Sequence, residues 1–114
     1  MSIEARIWLP VARVGDVARG AVLPIDLGGT PAILYREGDE HFAAQRKCPH
    51  AGFDLAEGFV SRGALVCPLH LWRFDVRTGA FVEYPETCLT TYAVRVVGDT
   101  IEVDPTPRRR GGLP

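Results

Sequence analysis

A chain of 114 residues with 46% hydrophobic content is long enough for one domain with a modest core, and too apolar to be disordered. The net charge is −1. Arg108, Arg109 and Arg110 hold three of the thirteen basic residues, so the ten others face fourteen acids, a body of −4. That balance argues against nucleic-acid binding, and twelve glycines with nine prolines argue against long helices.

Three cysteines cannot close a disulfide framework. The first ten residues carry Glu4 and Arg6 without a long apolar run, and no stretch is apolar enough to span a membrane. The expectation is a soluble, cytoplasmic protein, a compartment in which thiolates persist as metal ligands.

Arg6 to Val11 alternates weakly and reads as a first strand, followed by a turn at Arg13 to Val17 in which Asp16 is a cap. Arg19 to Asp26 reads as a strand broken at Pro24, hence an edge. Leu27-Gly28-Gly29-Thr30 is a reversal rather than a phosphate loop, because no lysine or helix follows. Pro31 to Arg36 and His41 to Gln45 form a hairpin across Glu37-Gly38-Asp39-Glu40. His41 reads as a structural histidine.

Between residues 50 and 67, Leu55, Phe59 and Val60 are the expected apolar anchors, and Ser61-Arg62-Gly63 is a turn. Ala64 to Val66 form a short buried strand. Trp72 and Phe74 share one strand face by the two-residue period, as core rather than as a substrate platform. Asp75 to Gly79 turn, and Tyr84-Pro85-Glu86 is a loop. Tyr92 to Val97 and Ile101 to Val103 form a closing hairpin over Gly98-Asp99. From Pro105 onward the prolines, glycines and arginines read as a flexible, solvated tail. The pattern predicts an all-β fold: an antiparallel sandwich or small barrel carrying a two-loop lobe at about 46–75. The domain is expected to span 1–104, with the tail at 105–114.

The chemistry is concentrated in two clips, Cys48-Pro49-His50 and Cys67-Pro68-Leu69-His70, separated by sixteen residues. Each offers one sulfur and one imidazole, an inventory for a transition metal. A tetrahedral structural zinc is one occupant, but zinc modules commonly pair like ligands in each loop. Mixed clips suit a two-iron cluster in which one iron takes both thiolates and the other both imidazoles. Two ferric ions, two sulfides and two thiolates sum to zero charge with neutral imidazoles. An all-cysteine cluster starts two units more negative, so imidazole ligation eases reduction and favours the added electron on the histidine-bound iron. Each ligating imidazole keeps an outer nitrogen for a proton, which links the potential to pH.

Pro49 and Pro68 stiffen the clips and bias the preceding cysteines towards extended backbone. Gly52 permits a tight loop. Cys88 lacks a clip of its own and reads as a thiol outside the ligand set.

The pattern C-x-H, sixteen residues, C-x-x-H resembles the Rieske signature. With Leu71-Trp72-Arg73-Phe74-Asp75, Thr78-Gly79 and the closing hairpin, most of residues 1–104 is similar to soluble bacterial Rieske ferredoxins. The resemblance implies one 2Fe–2S cluster, with Cys48 and Cys67 on one iron and His50 and His70 on the other. High-potential relatives carry an extra cysteine in each loop, where Phe53 and Leu69 stand here, and place a serine and a tyrosine to bond the cluster, whereas Leu71 and Trp72 follow His70 here. Those departures imply a potential near the bottom of the roughly −150 to +300 mV Rieske range. Dioxygenase ferredoxins usually have glycine after the last histidine. Leu71, with Cys88-Leu89 and Tyr92, resembles instead the ferredoxins of toluene-4-monooxygenase-like diiron monooxygenases.

The resemblance thus implies a one-electron carrier between an NADH-dependent flavin or iron–sulfur reductase and a monooxygenase hydroxylase for aromatic or alkene substrates. The alternatives are the ferredoxin of a ring-hydroxylating dioxygenase and the small subunit of assimilatory nitrite reductase. The electron is expected to pass at an apolar tip near Phe53, Pro68, Leu69 and Leu71. An oxygenase in its own right would need a further mononuclear iron on two histidines and a carboxylate, and only His41 is left to supply it.

Overall fold

The computed structural model describes residues 7–49 and 52–108. Nine strands follow in chain order: β1 (Leu9–Arg13), β2 (Val22–Asp26), β3 (Pro31–Glu37), β4 (Glu40–Gln45), β5 (Phe59–Ser61), β6 (Ala64–Cys67), β7 (Trp72–Asp75), β8 (Thr91–Val97) and β9 (Thr100–Pro107). Two 3-10 turns, Val14–Asp16 and Leu55–Glu57, complete them. Among the described residues no helix is long and apolar enough to cross a membrane. The architecture is all-β, as the pattern predicts.

Six strands make one antiparallel, barrel-like sheet in the order β1-β9-β8-β4-β3-β2, and β5-β6-β7 make a second, smaller sheet. β2 lies at an edge of the large sheet, where Pro24 costs no ladder bond. Glycine supplies the positive φ at the first turn position of two hairpins, Gly38 between β3 and β4 (φ 59°) and Gly98 between β8 and β9 (φ 60°).

β3 explains why Ala32 to Tyr35 is an unbroken apolar run. Ile33 and Tyr35 point into one core with Ala44, Leu55, Leu65, Cys67 and Phe74. Ala32 and Leu34 point the other way, into a second core with Ala43, Tyr92, Ile101 and Val103. A strand buried on both faces has no polar alternation to show. The first core joins the large sheet to the small one. Tyr35, fully buried, donates its hydroxyl to the Val76 carbonyl at 3.0 Å across that junction, and burial pushes its phenol pKa well up.

Several expectations shift. The first strand begins at Leu9, and its register slips between Pro10 and Ala12, a bulge where proline cannot donate. Phe59 is not an anchor. In β5 only Val60 faces inward, and strand alternation turns Phe59 out to 43% exposure. β9 runs through Pro107, past the expected tail boundary at 105. Its pairing with β1 ends at Val103, so Pro105 and Pro107 lie where no β1 partner asks for their N–H. Residues 109–114, including Arg109 and Arg110, fall outside the described residues.

Candidate metal centre

Both clips are hairpin loops, and each cysteine sits at a loop neck. In the second, Cys67 pairs with Trp72 across β6 and β7, so Pro68 to Leu71 form the loop. In the first, an isolated bridge joins Lys47 to Asp54. Inside it, the Cys48 N–H donates to the Phe53 carbonyl at 2.8 Å and the Gly52 N–H to the Cys48 carbonyl at 2.7 Å. Gly52 takes a φ of 68°, the freedom the tight loop needs. His50 lies outside the described residues.

The necks are dry and the second tip is wet. Cys48 and Cys67 are thiols at 1% and 0% exposure, set in the core with Leu55, Leu65 and Phe74. His70 is exposed at its loop tip. Pro68 and Leu71 are exposed too, whereas Phe53 and Leu69 pack partly buried against the core. The apolar tip therefore narrows to Pro68 and Leu71.

An ion pair locks the first neck. Arg46 Nε meets Asp54 Oδ1 and Nη2 meets Oδ2, both at 2.9 Å, while the Ala56 N–H donates to Oδ1 at 2.9 Å. These bonds hold the Asp54 carboxyl below the usual carboxylate range, with Arg46 the larger cause. The Leu55 N–H donates to the Arg46 carbonyl at 2.7 Å. The pair spans eight positions around the loop, a distance no sequence period marks.

Behind the second loop, Trp72 stacks on Phe81 at 4.0 Å between centroids and 4° between planes. Phe81 in turn packs 5.7 Å from the fully buried Phe74. This aromatic floor fixes the strand that follows His70. Phe81 was not singled out in the sequence; its place two residues after the Gly79 turn was the available signal.

His41 is on β4 and remote from this chemistry. It borders a hollow of about 310 Å³ between β4 and β8, whose lining includes neither Cys48, Cys67 nor His70. Cys88 is part-buried and donates its thiol to the Thr78 carbonyl at 3.2 Å. It belongs to the loop following β7, outside the clips.

Among the described residues no three Cys, His, Asp or Glu side chains gather around one point as a single metal ion requires. A two-iron cluster asks for less, two protein ligands at each iron. Two buried thiols and an exposed imidazole on the two loops are the donor types that would hold such a group.

Fold and site together define an all-β, two-loop cysteine–histidine metal protein. The chain belongs to the Rieske 2Fe-2S domain family, which it matches over residues 7–93, and it carries one 2Fe–2S cluster of the Rieske type. It is 37% identical over 91 residues to the ferredoxin component of biphenyl 2,3-dioxygenase from Rhodococcus jostii, covering 79% of this chain and 85% of that one. The solved ferredoxin of carbazole 1,9a-dioxygenase from Nocardioides aromaticivorans superposes with a TM-score of 0.78 at 32% identity, covering 87% and 98%. A chain of the complex of reduced oxygenase and oxidised ferredoxin in carbazole 1,9a-dioxygenase gives 0.81 at 28%, covering 93% and 100%.

Proposed function

We propose that this protein is the ferredoxin of a ring-hydroxylating dioxygenase system, a one-electron carrier that passes electrons from a reductase to an oxygenase. The single observation that carries the reading is the pairing of buried Cys48 and Cys67 with exposed His70, in a chain whose relatives are named as dioxygenase ferredoxins. The cluster supplies a one-electron couple. In this assignment Cys48 and Cys67 hold the inner iron, and His50 and His70 hold the outer one. The core around the thiols keeps water from the sulfur end, and the imidazole edge of His70 is the point of electron entry and exit.

This moves the partner away from the diiron monooxygenase expected from Leu71. The structure gives a physical reason why residue 71 is a poor marker of subgroup. Leu71 has a φ of 58°, the left-handed backbone that glycine adopts freely. The reductase is expected to be NADH-dependent with a flavin, and the substrate of the oxygenase an aromatic ring.

The test is direct. His70→Ala and Cys67→Ala should each yield protein lacking iron and acid-labile sulfide, while Cys88→Ser retains both. A full iron and sulfide complement in either ligand variant refutes the assignment. For the partner, the wild type should carry electrons to the oxygenase of a biphenyl-type dioxygenase, and failure there with success on a diiron hydroxylase would restore the monooxygenase reading.

A further inference from the structure

Strain and charge both collect on one side of His70. The described residues contain three non-glycine residues with positive φ: Arg62 (52°), His70 (64°) and Leu71 (58°). Such backbone is strained and gathers where function requires it. Arg62 lies in the turn between β5 and β6 and the other two in the loop between β6 and β7, at the two ends of β6, and Arg62 and Leu71 border one hollow on the exposed face of the small sheet. Leu71 and Arg73 border a hollow of about 380 Å³ shared with His70, Val82 and Glu83. The same Leu71 and Arg73 border a second hollow of about 290 Å³ that includes Phe59 and Arg62. Leu71 stands between the two, 63% exposed.

Two arginines here, with Arg108, differ from the other six described ones. Arg13, Arg19, Arg36, Arg46, Arg77 and Arg95 each bond a carboxylate of this chain. Arg62 and Arg73, both exposed, have no carboxylate partner among the described residues. Setting these two aside leaves eleven basic residues against fourteen acidic ones, a net of −3. The molecule therefore places one such guanidinium, Arg73, in the hollow it shares with His70 and a second, Arg62, in the adjoining hollow, against an acidic remainder. Glu83 is the acidic residue lining these hollows, on the side of the first one. A guanidinium left without a carboxylate at home is suited to one on a partner, where a planar fork can grip it with two bonds.

We propose that Leu71, flanked by Arg62 and Arg73, is the docking knob for the oxygenase component, received by an apolar socket rimmed with carboxylates. This rests on the carrier reading above. Arg62 and Arg73 steer the approach, and Leu71 fixes the seat so that the His70 edge faces the acceptor. An apolar contact of one leucine with a charged rim suits a redox pair that must separate after each electron.

The cluster-loaded protein is reduced and then oxidised by ferricyanide, a trianion, and by hexaammineruthenium(III), a trication, in a stopped-flow instrument. Each takes one electron from the protein, giving ferrocyanide or hexaammineruthenium(II). In Arg62→Glu/Arg73→Glu, with iron and sulfide content matching wild type, oxidation by ferricyanide should slow about tenfold at low salt and oxidation by the ruthenium complex should quicken, the two converging at high salt. Rates unchanged with both reagents would overturn the steering role. With the biphenyl 2,3-dioxygenase oxygenase as acceptor, Leu71→Gly should transfer electrons at least several-fold more slowly than wild type once each rate is divided by that protein's own rate with the two inorganic reagents. Equal transfer by Leu71→Gly would overturn the knob. Variants impaired only in electron uptake from the reductase would assign the face to the reductase and overturn the oxygenase as occupant. A wild type that reduces both inorganic reagents but no dioxygenase oxygenase would instead sink the function proposed above.

Discussion

Arg46 and Asp54 face each other across the neck of the first ligand loop, joined by two parallel bonds of 2.9 Å. Together with the backbone bonds Leu55 N–H to Arg46 carbonyl and Cys48 N–H to Phe53 carbonyl, they staple the neck of the loop shut. Asp54→Asn keeps the shape of the side chain and the Ala56 cap but loses the charge. The variant should release iron faster than wild type on warming, followed by loss of visible absorbance. The ionised carboxylate has its pKa depressed by Arg46, so its contribution is complete above the ordinary value of about 3.9 and is lost as pH falls through the lower folded value. The gap in melting temperature between the two proteins should therefore be full at pH 7 and close in strong acid. A gap constant down to pH 2 would contradict the role of the charge.

Gly58 is required for closeness rather than for its backbone angle. A Cβ there would lie 2.3 Å from the Val66 carbonyl oxygen and 3.1 Å from that of Leu55. Val66 precedes Cys67 in β6, so relief of the clash moves either the Gly58 segment or the strand that carries Cys67. Gly58→Ala should cost about 1–3 kcal/mol, the usual penalty of overpacking, measured by denaturant unfolding. Altered cluster absorbance should accompany it. Gly28→Ala, where nothing lies within 4 Å, is the comparison that separates crowding from backbone strain.

Tyr35→Phe removes one buried hydrogen bond and leaves the ring stacked on Phe42, 5.7 Å away. The Val76 carbonyl loses its donor from Tyr35. The expected loss is about 1–2 kcal/mol in thermal or chemical unfolding, with the cluster intact.

His41 gives a pH signature. Its Nε2 is buried without a hydrogen-bond partner among the described residues, and burial, with Arg36 adding repulsion, lowers its pKa below the ordinary value. The unfolded chain then binds a proton more readily than the folded one. Stability should be complete above about pH 6.5 and decline as pH falls through that value, levelling below the folded pKa. His41→Gln should lose less melting temperature than wild type between pH 8 and pH 5.5. Since the other histidines are common to both proteins, the difference isolates this side chain.

The two clips stand out in the sequence because their chemistry is local: sulfur and imidazole at short spacing point to a metal whatever the fold around them. β3 was legible as a run of apolar residues, although which of its two faces met which core was not. Phe59 misled because a three-residue strand shows too little alternation to say which side is inward. The Arg46–Asp54 staple, and the contrast between bonded arginines and Arg62 or Arg73, depend on where loops return, which no local pattern encodes. Leu71 misled in another way. A residue type taken as a mark of lineage proved to occupy backbone that glycine adopts without strain, so the identity of the side chain carried less information than its position.

The double-sided burial of β3 has a consequence for engineering. One strand of the large sheet is thus also the floor beneath the two cysteine–histidine loops, so neither half owns a separate hydrophobic interior. Grafting the loops onto a foreign scaffold would have to bring Ile33 and Tyr35 with them. Iron loss should register as faster amide exchange even in the distant closing hairpin.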